Sequence, residues 1–143
     1  MRGEGDFVIG VIVVTHGQLA HELVNAARAI VGELPQFVAV SIGWHDDTTA
    51  ARDEIAQAMA RVQGPAGVLI LTDMFGGTPS NLGLTFLEAN RVEIITGVNL
   101  PMLIKLATLQ SSSDLLGVAR EMREVGRNAI WVASDLLHAE VKA

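Results

Sequence analysis

The sequence predicts an α/β fold: a doubly wound, mostly parallel sheet whose strand order begins 2-1-3-4. Three observations predict it. Short β-rich apolar runs alternate with helical patterns along the chain, which is the mark of βαβ units. Those runs are nearly continuous rather than alternating, as in strands covered on both faces. Half of the residues are apolar and only 18% are charged, so one sheet face is not left to water. At 143 residues the chain is expected to be a single domain, 1–143, with enough surface to bury a core.

The elements follow in order. The run over 7–14 is the first buried strand. A helix over 18–31 carries Leu19, Leu23, Ala26, Ala27 and Ile30 on one face, and Gly32 stops it. A second strand spans 37–42. The loop Gly43-Trp44-His45-Asp46-Asp47 then offers Asp46, Asp47 or Thr48 as the cap of a helix over 49–62. Ile55, Met59 and Val62 face inward there, and Gly64-Pro65 breaks the helix. The third strand is 68–72. Thr78 reads as the N-cap of a helix with Pro79 at its first position, running to about 88. A fourth strand over 92–96 closes at Gly97, and a helix over 100–109 has Pro101 near its start. Ser111-Ser112-Ser113-Asp114 turns and caps a helix over 115–125. The run "AIWVA", 129–133, reads as a fifth strand, and the tail after it has no clear pattern.

Composition excludes several chemistries. Without cysteine there is no disulfide, thiolate or zinc–cysteine site. A net charge of -6, few aromatics and no basic cluster argue against nucleic acid as a partner. No apolar run approaches the ~20 residues that span a bilayer. The run over 7–14 has the length of a signal-peptide core, but Glu4 and Asp6 spoil its flank, so a cytoplasmic location is expected. There is no GxxxxGK[ST] loop, the lysines are Lys105 and Lys142, and no carboxylate cluster suits magnesium. ATP is therefore not expected as a direct donor, and no cofactor or metal is expected.

The positive signal is an echo between two strand ends. Val11-Ile12-Val13-Val14-Thr15-His16 aligns position for position with Val68-Leu69-Ile70-Leu71-Thr72-Asp73. In the predicted strand order these strands are neighbours, so His16 and Asp73 meet where such sheets bind ligands. A carboxylate accepting from one ring nitrogen fixes the tautomer and leaves the other lone pair free. It also stabilises the cation that forms when that nitrogen attacks an electrophile. Gly76-Gly77-Thr78-Pro79-Ser80-Asn81 follows: glycines that let a ligand approach the backbone, then a helix start that favours an anion. A nucleophilic His, an orienting Asp and an anion cradle point to a phosphoryl group on His16, delivered by another protein.

Other residues read more blandly. His21 on the first helix and His138 in the tail have no expected role. His45 follows the second strand at the same sheet edge. It reads as part of a solvated, helix-capping loop, although "HDD" is like a metal-ligand set. A metal-dependent hydrolase using His16, His45 and Asp73 is thus an alternative. A regulatory module that binds a nucleotide without taking a phosphoryl group is another. Trp44, Met74 and Phe75 either form a docking surface at this edge or pack beneath its loops.

The motifs "IVVTHG" (12–17), "TDMFGGTPSN" (72–81) and "ITGVNLPML" (95–103) resemble those of the mannose-type IIA components of the bacterial phosphotransferase system (PTS). They occur in that family's order, and the similarity covers nearly the whole chain. The resemblance implies a phosphotransferase component with His16 phosphorylated on Nε2 and Asp73 bonded to the ring. Thr15, Gly76, Gly77, Thr78 and Ser80 would line the phosphate, and the loop around Asn99 would border the site. The donor would be the histidine phosphocarrier protein and the acceptor a IIB component. It also implies a homodimer that exchanges its last strand. The membrane enters only indirectly, through a transporter. Phe75 stands where some members have Trp, and no IIB domain follows 143, so a free-standing IIA with its acceptor on another chain is expected. Sugar uptake, a dihydroxyacetone kinase pathway and pure regulation all stay open downstream.

Overall fold

A computed structural model describes residues 8–44, 47–109 and 114–142, without the side chains of 138–142. Strands β1 (Gly10–His16), β2 (Phe37–Ile42), β3 (Val68–Thr72) and β4 (Val92–Thr96) form one sheet in the order β2-β1-β3-β4. Every pairing is parallel, as the continuous apolar runs predict. The chain adds β2 on one side of β1, then crosses to add β3 and β4 on the other. The order therefore reverses at β1, and the carboxyl ends of all four strands open at one edge.

Side chains alternate across the sheet and feed two cores. Val11, Val13, Leu69 and Leu71 pack against helices α1 (Leu19–Val31), α4 (Leu100–Ala107) and α5 (Leu115–Asn128). Ile12, Val14, Val68 and Ile70 pack against α2 (Thr48–Val62) and α3 (Thr78–Leu84). Leu69, Ile70 and Leu71 are fully buried, and each contributes roughly 1.5–3 kcal/mol of apolar burial. Contact at the other end of the strands is close: a Cβ on Gly10 would lie 2.5 Å from the Val62 carbonyl oxygen.

Local chemistry sets the helix boundaries. Thr15 Oγ1 accepts the Ala20 amide at 2.6 Å and so fixes where α1 begins. That turns Ala20, Val24 and Ala27 onto the sheet. The expected stripe was displaced: Leu19 and Ile30 are exposed, because small side chains allow the helix to approach Val11 and Val13 closely. Asp47 is the N-cap of α2, its carboxylate accepting from the Thr49 amide. Asp114 caps α5 in the same way. Gly77, not Thr78, is the N-cap of α3, with Thr78 at the first helical position. The helix ends at Leu84 rather than near 88. The Thr85 hydroxyl donates to the Leu82 carbonyl at 2.6 Å and competes with the helical ladder.

The fifth strand expected over 129–133 does not form among the described residues. α5 runs three residues past its expected end, to Asn128, and α6 (Ala133–Lys142) begins with Asp135 in its first turn. Ala129 caps α5, and Ile130, Trp131 and Val132 lie between it and α6, 76%, 65% and 63% exposed. Within this chain they pair with none of the four strands. The first predicted strand begins at Gly10 rather than at 7, and Phe7 itself lies outside the described residues, as do the three serines over 111–113 and His45 and Asp46 of the "HDD" run.

Candidate active site

β1 sits between β2 and β3, so the residue that ends it is flanked from both sides. That residue is His16. Along β1, Thr15 follows Val11 and Val13 toward the α1 face, whereas His16 follows Ile12 and Val14 toward α2 and α3. The echo noted in the sequence becomes geometry here. Val14 pairs with Thr72, so Asp73 emerges one residue beyond the ladder, within reach of His16.

Asp73 Oδ2 accepts the His16 backbone amide at 3.1 Å and lies 2.8 Å from His16 Nδ1. Its other oxygen accepts the Met74 amide at 3.1 Å. An ionised carboxylate has no proton to give, so Nδ1 must carry the hydrogen, and in the neutral ring Nε2 holds the free lone pair. The His16 side chain is 32% exposed and that of Asp73 16%. The pair therefore meets solvent through the histidine. Partial burial pushes the Asp73 carboxyl up. The hydrogen bonds from the His16 ring and amide, the ring's charge and a backbone bond within the loop together outweigh it, leaving the group below its ordinary value of 3.8.

Gly77 lies against the edge of the His16 ring that carries Nε2. A Cβ there would stand 3.2 Å from both Cε1 and Nε2 of His16, and the residue has φ +86. Only glycine meets both demands without displacing the ring. Gly76 also takes a positive φ of 89 and turns the chain out of the Asp73 loop. Thr78 is exposed at the start of α3, and no side chain caps that helix. Of the three residues expected around the phosphate here, Gly77 lies against the His16 ring, while Gly76 and Thr78 flank it in the chain.

Three other expected site residues do not present their side chains to the ring. Thr15 is fully buried and its hydroxyl is spent on the Ala20 amide. Strand alternation explains this, since neighbours on a strand point to opposite faces. Ser80 is also fully buried, with a hydroxyl that has no partner; three residues into α3 it has turned under the helix, sealed from the site's surface. Asn99 caps α4 by accepting the Met102 amide at 3.1 Å and donates to the Gly126 carbonyl at 3.1 Å. Its side chain is committed to tying α4 to α5. The loop it starts from still reaches the edge, with the Val98 amide bonded to the Thr72 carbonyl at 3.0 Å.

Sequence reasoning left Trp44, Met74 and Phe75 undecided between docking and packing. They are 84%, 55% and 75% exposed, so they do not pack beneath the loops. Trp44 stands beside His16, its ring centroid 6.1 Å from the imidazole's and tilted by 38°. Its position two residues beyond a strand paired with β1 was the available signal. His21 takes a partner that spacing did not reveal: Nδ1 lies 2.6 Å from the Ser41 hydroxyl on the α1 face.

A family model described as the PTS system fructose IIA component (EIIA-man) matches residues 10–122. The fructose-specific EIIA component of Bacillus subtilis (strain 168) is 28% identical over 131 residues, covering 91% of this chain and 90% of that protein. The mannose-specific EIIAB component of Escherichia coli (strain K12) is 30% identical over 112 residues, covering 74% of this chain but 32% of that protein. The mannose/sorbose-specific IIA subunit from Enterococcus faecalis superposes with a TM-score of 0.78 at 25% identity, covering 88% of this chain and 95% of that one. An EIIA component from Streptococcus agalactiae, 19% identical, shares the fold with a TM-score of 0.79 over 90% of this chain and 99% of its own.

The Asp73 environment makes a pH prediction. A carboxyl whose folded value lies below its unfolded one stabilises the fold fully above the unfolded value, 3.8, and loses that contribution as pH falls beneath it through the folded value. Thermal unfolding of the native chain should therefore show an acid-limb loss below pH 3.8 that Asp73→Asn largely lacks. Parallel acid limbs for the two proteins would mean that the bonds to His16 contribute nothing to folding.

Proposed function

The chain belongs to the EIIA-man family of PTS components, and from that premise we propose that His16 carries the phosphoryl group between two partner proteins. Family membership makes it a phosphotransferase component with a phosphoryl-transfer role in a PTS, and favours this over the metal-dependent hydrolase. The observation that supports His16 as the carrier is its 2.8 Å contact with Asp73. A donor phosphohistidine, on the histidine phosphocarrier protein, presents its phosphorus to Nε2. The Nε2 lone pair forms the new N–P bond while the donor's N–P bond breaks, and that electron pair leaves with the donor nitrogen. No proton has to depart, because Nε2 carries none. The ring gains cationic character, which the Asp73 carboxylate stabilises through Nδ1–H. The incoming phosphoryl oxygens lie against Gly76, Gly77 and Thr78, where the missing Cβ of Gly77 leaves room. The reverse sequence hands the group to a IIB component.

Relatives named for fructose, mannose and sorbose support a sugar PTS as the setting, with the membrane reached only through its transporter and the protein working at the cytoplasmic side. No described helix is long and apolar enough to cross a membrane. A homodimer belongs to the same reading. Exposed Ile130, Trp131 and Val132 form an apolar segment suited to pairing with a second copy, as an added strand on a sheet edge.

Three measurements test these assignments. Intact mass after incubation with phosphoenolpyruvate, enzyme I and the phosphocarrier should rise by one acid-labile phosphoryl group, and His16→Gln should abolish the gain while remaining folded. Asp73→Asn should slow transfer at least ~10-fold, about 1.4 kcal/mol of barrier, because an amide can select the wrong tautomer. Labelling of a folded His16→Gln protein would overturn the carrier assignment. Sedimentation should give a dimer at micromolar concentration, and truncation after Asn128 should abolish it; a native monomer would contradict the pairing.

A further inference from the structure

The imidazole of His16 is held on its β3 side by Asp73 and Gly77. What stands on its β2 side is Trp44. The Gly17 amide donates to the Ile42 carbonyl at 2.8 Å, which fastens the turn after His16 to the end of β2. The chain leaving β2 therefore rises directly beside the histidine, and two residues later it places an indole with its centroid 6.1 Å from the imidazole, tilted by 38°. At 84% exposure this Trp gains almost nothing from burial, so packing of the free protein does not explain it. Its placement makes sense with respect to the ring next to it.

We propose that Trp44 is a positioning residue for His16, and the proposal rests on the carrier reading above. Two physical effects follow from the geometry. As Nε2 bonds to phosphorus the imidazole becomes cationic, and an indole about 6 Å away attracts a cation through its ring quadrupole. The same indole covers the β2 flank of the N–P bond. Water hydrolyses that bond by attack of its oxygen on phosphorus; the N–P electron pair returns to Nε2, and inorganic phosphate departs. An apolar flank removes one approach for that water. Trp44 thereby lengthens the life of phosphohistidine in the interval between donor and acceptor, with Asp73 fixing the tautomer and Trp44 the ring's surroundings.

The test loads His16 without a partner protein, using phosphoramidate as a small-molecule phosphoryl donor, so docking does not enter the readout. The lifetime of the phosphorylated chain is followed by intact mass for native protein, Trp44→Ala and Trp44→Phe. Trp44→Ala should lose the group about 2- to 5-fold faster, the effect of one exposed cation–aromatic contact. Trp44→Phe should restore most of the lifetime. Native-like melting of Trp44→Ala, expected from its exposure, confines the effect to the site. Equal lifetimes for native and Trp44→Ala would overturn the proposal. Equal lifetimes combined with slower transfer from the phosphocarrier would do so too, by assigning Trp44 to docking. A native chain that takes no phosphoryl group from either phosphoramidate or the phosphocarrier would overturn the carrier reading itself, which keeps the two failures apart.

Discussion

A carboxylate that accepts two N–H groups from one residue and a third from its own loop can hardly move without losing all of them. Asp73 is in that position: it bonds the backbone amide and ring of His16 and the amide of Met74. The backbone bond extends the β1–β3 pairing by one step past the last ladder pair, Val14 with Thr72. The ring bond fixes a tautomer. One side chain thus joins the sheet to the chemistry, and everything else at the edge is arranged around the nitrogen it leaves free.

The fold makes that arrangement available through register and close packing. Two adjacent parallel strands in this register, with Val14 opposite Thr72, bring His16 and Asp73 within hydrogen-bond reach. The helix that follows β3 must then come near enough to border Nε2 without covering it. Gly77 allows the approach at the ring. Gly83 allows it lower down, where a Cβ would lie 3.4 Å from Ile70 and 3.8 Å from Thr72. Ser80 lies between them on the buried side, small enough to keep the helix close, although its hydroxyl gains no partner there. On the opposite face, the Thr15 hydroxyl anchors α1 directly behind His16. Neighbouring residues on one strand thus point opposite ways, Thr15 holding the scaffold and His16 meeting Asp73 at the open edge.

Much of this was legible in the sequence because it depends on period and position. The apolar runs imply buried parallel strands, and the alignment of Thr15-His16 with Thr72-Asp73 implies their common edge. The alternation that makes strands readable also separates Thr15 from the site, and the turn of a helix does the same to Ser80. Both were expected near the phosphate from the family resemblance. The α1 stripe was read one residue out of phase because a side-chain-to-backbone bond, Thr15 to Ala20, decides where the helix starts. "AIWVA" has strand propensity, but a strand needs an edge, and its edge is not supplied within the described chain. Trp44 lay in a loop whose path depends on the Gly17–Ile42 bond, which no periodicity reveals.

The central claim is that Asp73 keeps the proton on Nδ1 so that Nε2 is the nucleophile. Nitrogen-15 NMR of the His16 ring tests it most directly, before and after phosphorylation. The account predicts Nδ1 protonated in both states, an unprotonated Nε2 in the neutral ring of the free chain, and phosphorus coupled to Nε2 once the group is taken. A free ring protonated on Nε2 alone, or phosphorus coupled to Nδ1, would contradict it.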